Sequence, residues 1–209
     1  MTIKDRFYPL SERGGSGIAA PQDLYAYRHR YNLEPVPLLS HPENQSMNAQ
    51  AAFRHALADA DMITTSYLND LTDADLLVRA VPGINHIAWQ LGHLIASENG
   101  MVGETCPGSM PDLPQGFKEN YTNDTAGSDD PQAFLSKDEY LRLYRQQREA
   151  TLKALEGLSD ADFDRPAPER YRNFIETVGG VFSMQATHWL MHAGQWAVLR
   201  RKLGRKPLF

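Results

Sequence analysis

The spacing of apolar residues is the feature that most restricts the fold of this chain. In several long segments an apolar side chain recurs every three or four residues, which is the spacing of one face of an α-helix. No convincing alternating run of β-branched residues, the pattern typical of a half-buried strand, occurs. These observations predict an all-α fold. The first helical face begins after Asn48 and comprises Phe53, Ala56, Leu57, Ala60, Ile63, Tyr67 and Leu71.

Three further helices are predicted from the same spacing and from residues that favour helix ends. Asn85 is placed to cap the second helix, and Ser136 with Glu139 forms the capping-box pattern that opens the third. The fourth helix is apolar on most sides, which is typical of a buried helix, and it should end near Gly204. These helices are predicted over residues 86–103, 137–157 and 182–203.

A short repeat divides the helical region into two halves. The sequence LTDADL at residues 71–76 follows the first helix, and LSDADF at residues 158–163 follows the third. Each half is predicted to be a pair of antiparallel, neighbouring helices, and the Thr or Ser of each copy is predicted to cap a short helical turn. Residues 104–135, rich in Gly, Pro, Asn and Asp, join the halves. We therefore predict a four-helix bundle domain over residues 48–209 with one long crossover connection.

Residues 1–47 have a different composition from the rest of the chain. They contain five prolines and three closely spaced glycines, without a sustained hydrophobic period. They also contain four tyrosines, although disordered segments are usually poor in aromatic residues. We expect an extended N-terminal arm that packs on the body or on a partner subunit of a homodimer. A flexible leader is the alternative.

Charge and hydropathy limit the partners of the chain. The formal net charge is −5, which does not favour binding to a nucleic-acid backbone. The basic residues between 200 and 206 fall where a helix ends, and positive charge stabilises that end of the helix dipole. No apolar run reaches the length of about 18 residues that a transmembrane helix needs. Charged residues stand where a signal peptide needs its apolar core, so we expect a cytoplasmic protein.

Histidine must supply the ligands of any metal site in this chain. The single cysteine, Cys106, excludes a disulfide within the chain and a cysteine-based zinc cluster. Cys106 itself is expected to be unreactive, because the nearby Glu104 would raise the pKa of its thiol. Of the seven histidines, His86 is expected at the surface, in the first turn of the second helix.

Three histidines are candidate metal ligands. His188 and His192 are four residues apart on the fourth helix, which brings both imidazoles to one helix face. His93 lies on a polar strip of the second helix and could meet this pair at the axis of the bundle. Three histidine ligands with an open position are typical of catalytic rather than structural zinc sites. Spacing alone leaves one alternative open: the histidines could be core residues that form hydrogen bonds within the protein and bind no metal.

Several polar or aromatic residues share a helix face with a candidate ligand and are expected to orient it or to line a pocket. They are Trp89, Gln90, Ser97 and Gln195. Gln195 could orient a ligand or a substrate through its amide, or it could be a polar residue at the edge of the core. Glu98 lies about 140° around the helix from His93, so it is expected in a salt bridge or behind the ligands.

These residues form a pattern that is similar to a known family. WxxxHL at residues 89–94, followed after a long connection by HxxxHxGQ at residues 188–195, resembles the DinB-like superfamily of four-helix metal proteins. Residues 87–93 also resemble the iron-binding helical part of ergothioneine-forming sulfoxide synthases, which makes iron a third candidate metal. The DinB-like resemblance implies a divalent ion, often zinc or nickel, held by three histidines: His93, His188 and His192.

The resemblance and the candidate ligands together suggest a metal-dependent enzyme. Characterised relatives include thiol S-transferases, so the resemblance implies a small-molecule substrate such as a low-molecular-weight thiol. We expect activation of a thiol or of water at the three-histidine site, in a reaction of the thiol-transfer or hydrolytic type. A non-catalytic metal-binding stress or interaction module is the alternative, and a helical scaffold without metal is the third hypothesis.

Overall fold

The computed structural model describes residues 47–208, and within this range the chain forms helices and no strand. The all-α class is confirmed. The predicted N-terminal arm lies outside the described residues, apart from Met47. None of the helices in the described range combines the length and the apolar content needed to cross a membrane. The helices are α1 (Ala49–Leu68), α2 (Asp73–Leu76), α3 (Ile87–Thr105), α4 (Lys137–Glu156), α5 (Asp160–Phe163) and α6 (Val178–Lys202).

The helix starts follow the predicted capping chemistry in most cases. Ser136 and Glu139 form a capping box at the start of α4, and both copies of the repeat form one at the start of α2 and α5. The predicted cap of α3 is wrong. His86, not Asn85, caps this helix, and its Nδ1 atom accepts the N–H of Trp89 at 3.1 Å.

His86 is therefore buried, and its expected position at the surface is also wrong. Its side chain is 1% exposed, and the edge of its ring packs against Phe134. The second ring nitrogen, Nε2, lies 3.1 Å from the carbonyl oxygen of Ser128. Both ring nitrogens thus have partners within the protein, because the long connection folds back over the start of α3.

Contacts at the two ends of the bundle give the directions of the helices. Phe53 near the start of α1 lies against Gly179 at the start of α6, and Arg200 near the end of α6 donates to the carbonyl of Tyr67. These two helices are parallel.

In contrast, α3 is antiparallel to α6, since Gln90 pairs with Gln195. The same pair of helices meets again at the other end of α3, where Gln185 of α6 contacts Met101.

The same reasoning makes α4 antiparallel to α1. Gln50 at the start of α1 donates to the carbonyl of Leu155 near the end of α4. It follows that α3 and α4 run in the same direction, so residues 106–136 must return along the length of the bundle to join them. This segment contains the 3₁₀ turns Lys118–Tyr121, Asn123–Thr125 and Pro131–Ala133.

The helices within each half of the repeat are antiparallel, as predicted. They are not neighbours, so that part of the prediction is wrong. The main packing partners are α1 with α6, α3 with α4, and α3 with α6. The connections at residues 69–86 and 157–177 each include a short helix and are long enough to cross one end of the bundle. The helices of each half therefore stand diagonally opposite each other.

A buried ion-pair network joins all four long helices. Arg148 of α4 is 4% exposed and lies 3.0 Å from a carboxylate oxygen of Asp61 on α1 and 3.3 Å from one of Glu98 on α3. Glu98 accepts hydrogen bonds from Thr151 at 2.7 Å and from the indole N–H of Trp189 on α6 at 2.9 Å. One cation thus faces two carboxylates inside the core.

Burial in this network affects the carboxyl group of Asp61. Burial raises the pKa of Asp61 to about 6, although Arg148 and a hydrogen bond from Tyr144 act in the opposite direction. The folded protein therefore holds a proton on Asp61 more tightly than the unfolded chain does. Protonation of Asp61 leaves Arg148 and Glu98 as a neutral pair.

Arg148→Met should destabilise the fold strongly. The substitution leaves the buried Glu98 and the half-buried Asp61 without their cation, and breaking a buried pair in this way costs about 3–5 kcal/mol. Urea unfolding followed by circular dichroism measures the change. The exposed Arg145 on the same helix gives a matched control, because Arg145→Met should change the free energy of unfolding by less than about 0.5 kcal/mol. Equal effects of the two substitutions would contradict the role of the network.

Asp61→Asn should change the pH dependence of stability. Because the folded pKa of about 6 exceeds the ordinary 3.8, the contribution of Asp61 to the free energy of unfolding should rise as the pH falls from above 6 towards 4. Asparagine does not titrate, so the wild type should gain about 1–3 kcal/mol relative to the variant over this range. Unfolding curves at several pH values, recorded with a chelator, measure the difference. A difference that stays constant with pH would show that burial does not raise this pKa.

Candidate metal centre

The structure brings the three candidate histidines together. His93 extends from α3, and His188 and His192 extend from one face of α6. One ligand atom from each side chain lies within 4.8 Å of the other two. The ring centroids are 5.0–5.7 Å apart. Among residues 47–208, no carboxylate, thiol or further imidazole joins this group.

Two tryptophans of α6 fix the rotation of this helix. Trp189 is 1% exposed and donates to Glu98, and Trp196 is fully buried and donates to Gln90. Both indoles thus anchor to α3, which turns the intervening histidine face of α6 toward His93. The centre is therefore built on two long helices that are joined by buried hydrogen bonds.

His93 is held by a third tryptophan. The ring of Trp89 stacks on that of His93 with a centroid distance of 5.0 Å and an interplanar angle of 8°. The indole N–H of Trp89 donates in turn to the hydroxyl of Thr125, which lies in the long connection. The connection therefore helps to set the orientation of the His93 ring.

Gln90 determines which nitrogen of His192 is available. The indole N–H of Trp196 can only donate, so the atom of Gln90 that faces it at 2.7 Å must be the carbonyl oxygen. The same oxygen lies 3.0 Å from Nδ1 of His192. Nδ1 must therefore carry the proton, and Nε2 keeps a free lone pair. Such a hydrogen bond behind the ring is typical of metal-binding histidines.

Burial keeps the three imidazoles neutral. It lowers the pKa of His188 to about 3, with the neighbouring His192 and His93 acting in the same direction. Burial and the neighbouring His93 lower the pKa of His192 to about 4, and burial also lowers the pKa of His93. All three therefore present unprotonated nitrogens at neutral pH, which is the form that binds a metal ion.

The remaining predicted site residues lie at different distances from the histidines. The side-chain NH₂ group of Gln90 donates a hydrogen bond to the amide oxygen of Gln195 at 3.0 Å. Gln195 therefore lies behind His192. Ser97 is half-buried one helical turn beyond His93, and Glu98 is in the Arg148 network. Cys106 is not activated, because burial raises the pKa of its thiol.

Sequence reasoning missed Arg148 and its partners, although a signal was present. In the sequence of α4 the apolar residues Leu141, Tyr144, Leu152 and Leu155 recur at helical spacing, and Arg148 occupies the position between them. A charged residue inside an apolar stripe indicates a buried ion pair. The pairing with Asp61 could not be read from spacing, because it depends on which helices are neighbours.

A cleft of about 720 Å³ extends from His93 along α3. The helix supplies one wall, from His93 to Glu104, and residues 108–121 of the long connection supply the opposite wall. Arg170 and Tyr171, from the connection before α6, line the cleft as well. This volume is within the range of small-molecule sites.

The donor set fits a divalent metal ion. In a tetrahedral site with Zn–N bonds of about 2.0–2.1 Å, two ligand nitrogens stand about 3.4 Å apart. The three histidine atoms lie within 4.8 Å of one another, so small side-chain rotations would bring them to one ion. Three neutral imidazoles, one of them with its tautomer set by Gln90, are suitable ligands for zinc, nickel or iron.

Comparison with known proteins identifies the family. No curated protein matches the chain. The sequence profile of the DinB superfamily matches residues 41–196, a range that includes the three histidines, Gln90 and the whole of the long connection. Because the matched range covers most of the sequence, the chain belongs to the DinB superfamily.

Proposed function

We propose that this protein is a metal-dependent enzyme whose ion is held by His93, His188 and His192. The observation that carries the proposal is the convergence of three neutral imidazoles without a fourth protein ligand among residues 47–208. A centre with three protein ligands leaves a position for a substrate, whereas structural zinc sites are usually closed by four. Zinc and nickel are the first candidate ions, and iron is the third.

The residues around the centre keep the ligands in a form that binds metal. Gln90 holds the proton of His192 on Nδ1, and Trp89 restrains the His93 ring by stacking. Partial burial disfavours protonated imidazoles. A divalent ion in this position would lower the pKa of a thiol or of a water molecule and so supply a nucleophile near neutral pH.

The proposed reaction is transfer of a low-molecular-weight thiol to an electrophile, or hydrolysis. The cleft supports access for a small molecule, since His93, one of the three candidate ligands, lines it. Membership in the DinB superfamily agrees with a metal centre of this kind.

Replacement of any one of the three histidines by alanine should remove most of the bound metal. The wild type, purified without a nickel column, should contain about one divalent ion per chain. The variants should bind far less, because two imidazoles hold an ion much more weakly than three. His55→Ala is the matched control, since His55 is exposed on α1. Metal content is measured by inductively coupled plasma mass spectrometry.

The same proteins test the enzymatic part of the proposal. Thiol consumption in the presence of an alkylating electrophile should be faster with the metal-loaded wild type and His55→Ala than with the three alanine variants. Metal content that is unchanged in all variants would overturn the proposed centre. If the fully metal-loaded wild type converted neither thiols nor esters faster than the variants do, the metal centre would stand, but the proposed enzymatic activity would be contradicted.

Gln90→Leu should weaken metal binding without removing a ligand. The substitution removes the acceptor that holds the proton of His192 on Nδ1, and loss of such a partner typically lowers metal affinity by about 10–100-fold. Gln90→Glu keeps an acceptor oxygen for His192 but loses the N–H that Gln90 donates to Gln195, so its affinity should fall between those of the wild type and Gln90→Leu. Competition with a chromogenic chelator measures the affinities, and circular dichroism checks that both variants are folded. Equal affinity of the wild type and folded Gln90→Leu would contradict the role of Gln90.

A further inference from the structure

We propose that the cleft along α3 binds a slender small molecule with an apolar, uncharged body and a metal-binding head next to His93. This inference rests on the proposed function and adds a substrate class to it. It follows from the shape of the cleft, from the partners of its polar groups and from the distribution of charge around it.

The cleft extends along α3, where several of the residues that line it are small. His93 and Glu104 both line it, and eleven residues of helix separate their backbones by about 16 Å. Between them, Ala96, Gly100 and Gly103 leave space above the helix. A Cβ atom at Gly100 would meet only the Tyr171 hydroxyl, at 3.7 Å, so this space is open rather than filled by neighbouring side chains.

The larger polar side chains inside the cleft already have partners in the protein. The amide of Asn99 donates to the carbonyl of Pro111 at 2.9 Å and to Gln147 at 3.0 Å. The hydroxyl of Tyr121 lies 2.6 Å from that of Tyr140. The apolar side chains of Met101, Met110, Leu113 and Phe117 also line the cleft.

Charged side chains are confined to the edge of the cleft. Lys118, Glu119 and Asp112 are exposed, and Glu104 and Arg170 form an exposed ion pair of 3.3 Å with each other. A charged group in the body of a ligand would therefore lose water without gaining a partner inside the cleft. The histidine end is different, because a divalent ion among neutral imidazoles would attract an anionic or neutral donor atom.

The experiment titrates the zinc-loaded full chain with straight-chain alkyl hydroxamates of increasing length. The hydroxamate head binds metal, and the alkyl tail would lie along α3. Each added methylene should tighten binding by about fourfold, as expected for burial of apolar surface, until the tail reaches the level of Glu104. Isothermal titration calorimetry measures the dissociation constants.

Two glycine variants test the location of the tail. Gly100→Leu places a side chain in the cleft and should abolish the gain with chain length while the shortest hydroxamate binds as before. Gly194→Leu is the control, because a side chain there meets nothing within 4 Å, and it should behave as the wild type.

The outcomes separate this inference from the proposed function. Binding of all hydroxamates with the same affinity, or a gain with length that persists in Gly100→Leu, would overturn the cleft inference and leave the metal centre intact. Failure of every hydroxamate to bind zinc-loaded protein would overturn both. A gain with length that Gly100→Leu alone removes would support the cleft as the binding site.

Discussion

The ion pairs of Arg148 with Asp61 and Glu98 are the constraint on which the rest of the structure depends. They connect α1, α3 and α4 inside the core, and Glu98 also accepts the indole N–H of Trp189 on α6. A buried charge tolerates little displacement of its partners, because each carboxylate must stay near the guanidinium to offset lost hydration. The network therefore sets the relative positions of the helices. Because Trp189 donates to Glu98, it also fixes the position of the adjacent residue His188.

The candidate centre and the cleft result from this arrangement. Antiparallel packing of α3 against α6 brings His93 to the pair on α6, and Gln90 joins the same two helices behind His192. The parallel arrangement of α3 and α4 requires a connection as long as the bundle. That connection lies along α3, so the need to return the chain also creates a cleft beside His93. Ligands on rigid helices and a pocket wall on a loop are a common division in functional sites.

Helix caps and residues that share a helix face could be predicted from the sequence, whereas the packing neighbours of each helix could not. The capping box at Ser136 and the face shared by His188 and His192 depend on residues three or four apart, so spacing alone predicts them. Packing across the bundle depends on how the connections cross its ends, and the short repeat suggested neighbours where the helices are diagonal. His86 was misplaced because its burial comes from Ser128 and Phe134, about forty residues later.

The central claim is that three imidazoles share one ion and leave room for a further ligand. X-ray absorption spectroscopy of the metal-loaded protein tests it most directly, since the scattering counts imidazole rings around the metal. The account predicts three imidazoles with metal–nitrogen distances of about 2.0–2.1 Å for zinc, and at least one additional light atom that does not come from a histidine. In protein free of added thiol, a sulfur ligand, or fewer than three imidazoles, would contradict the account.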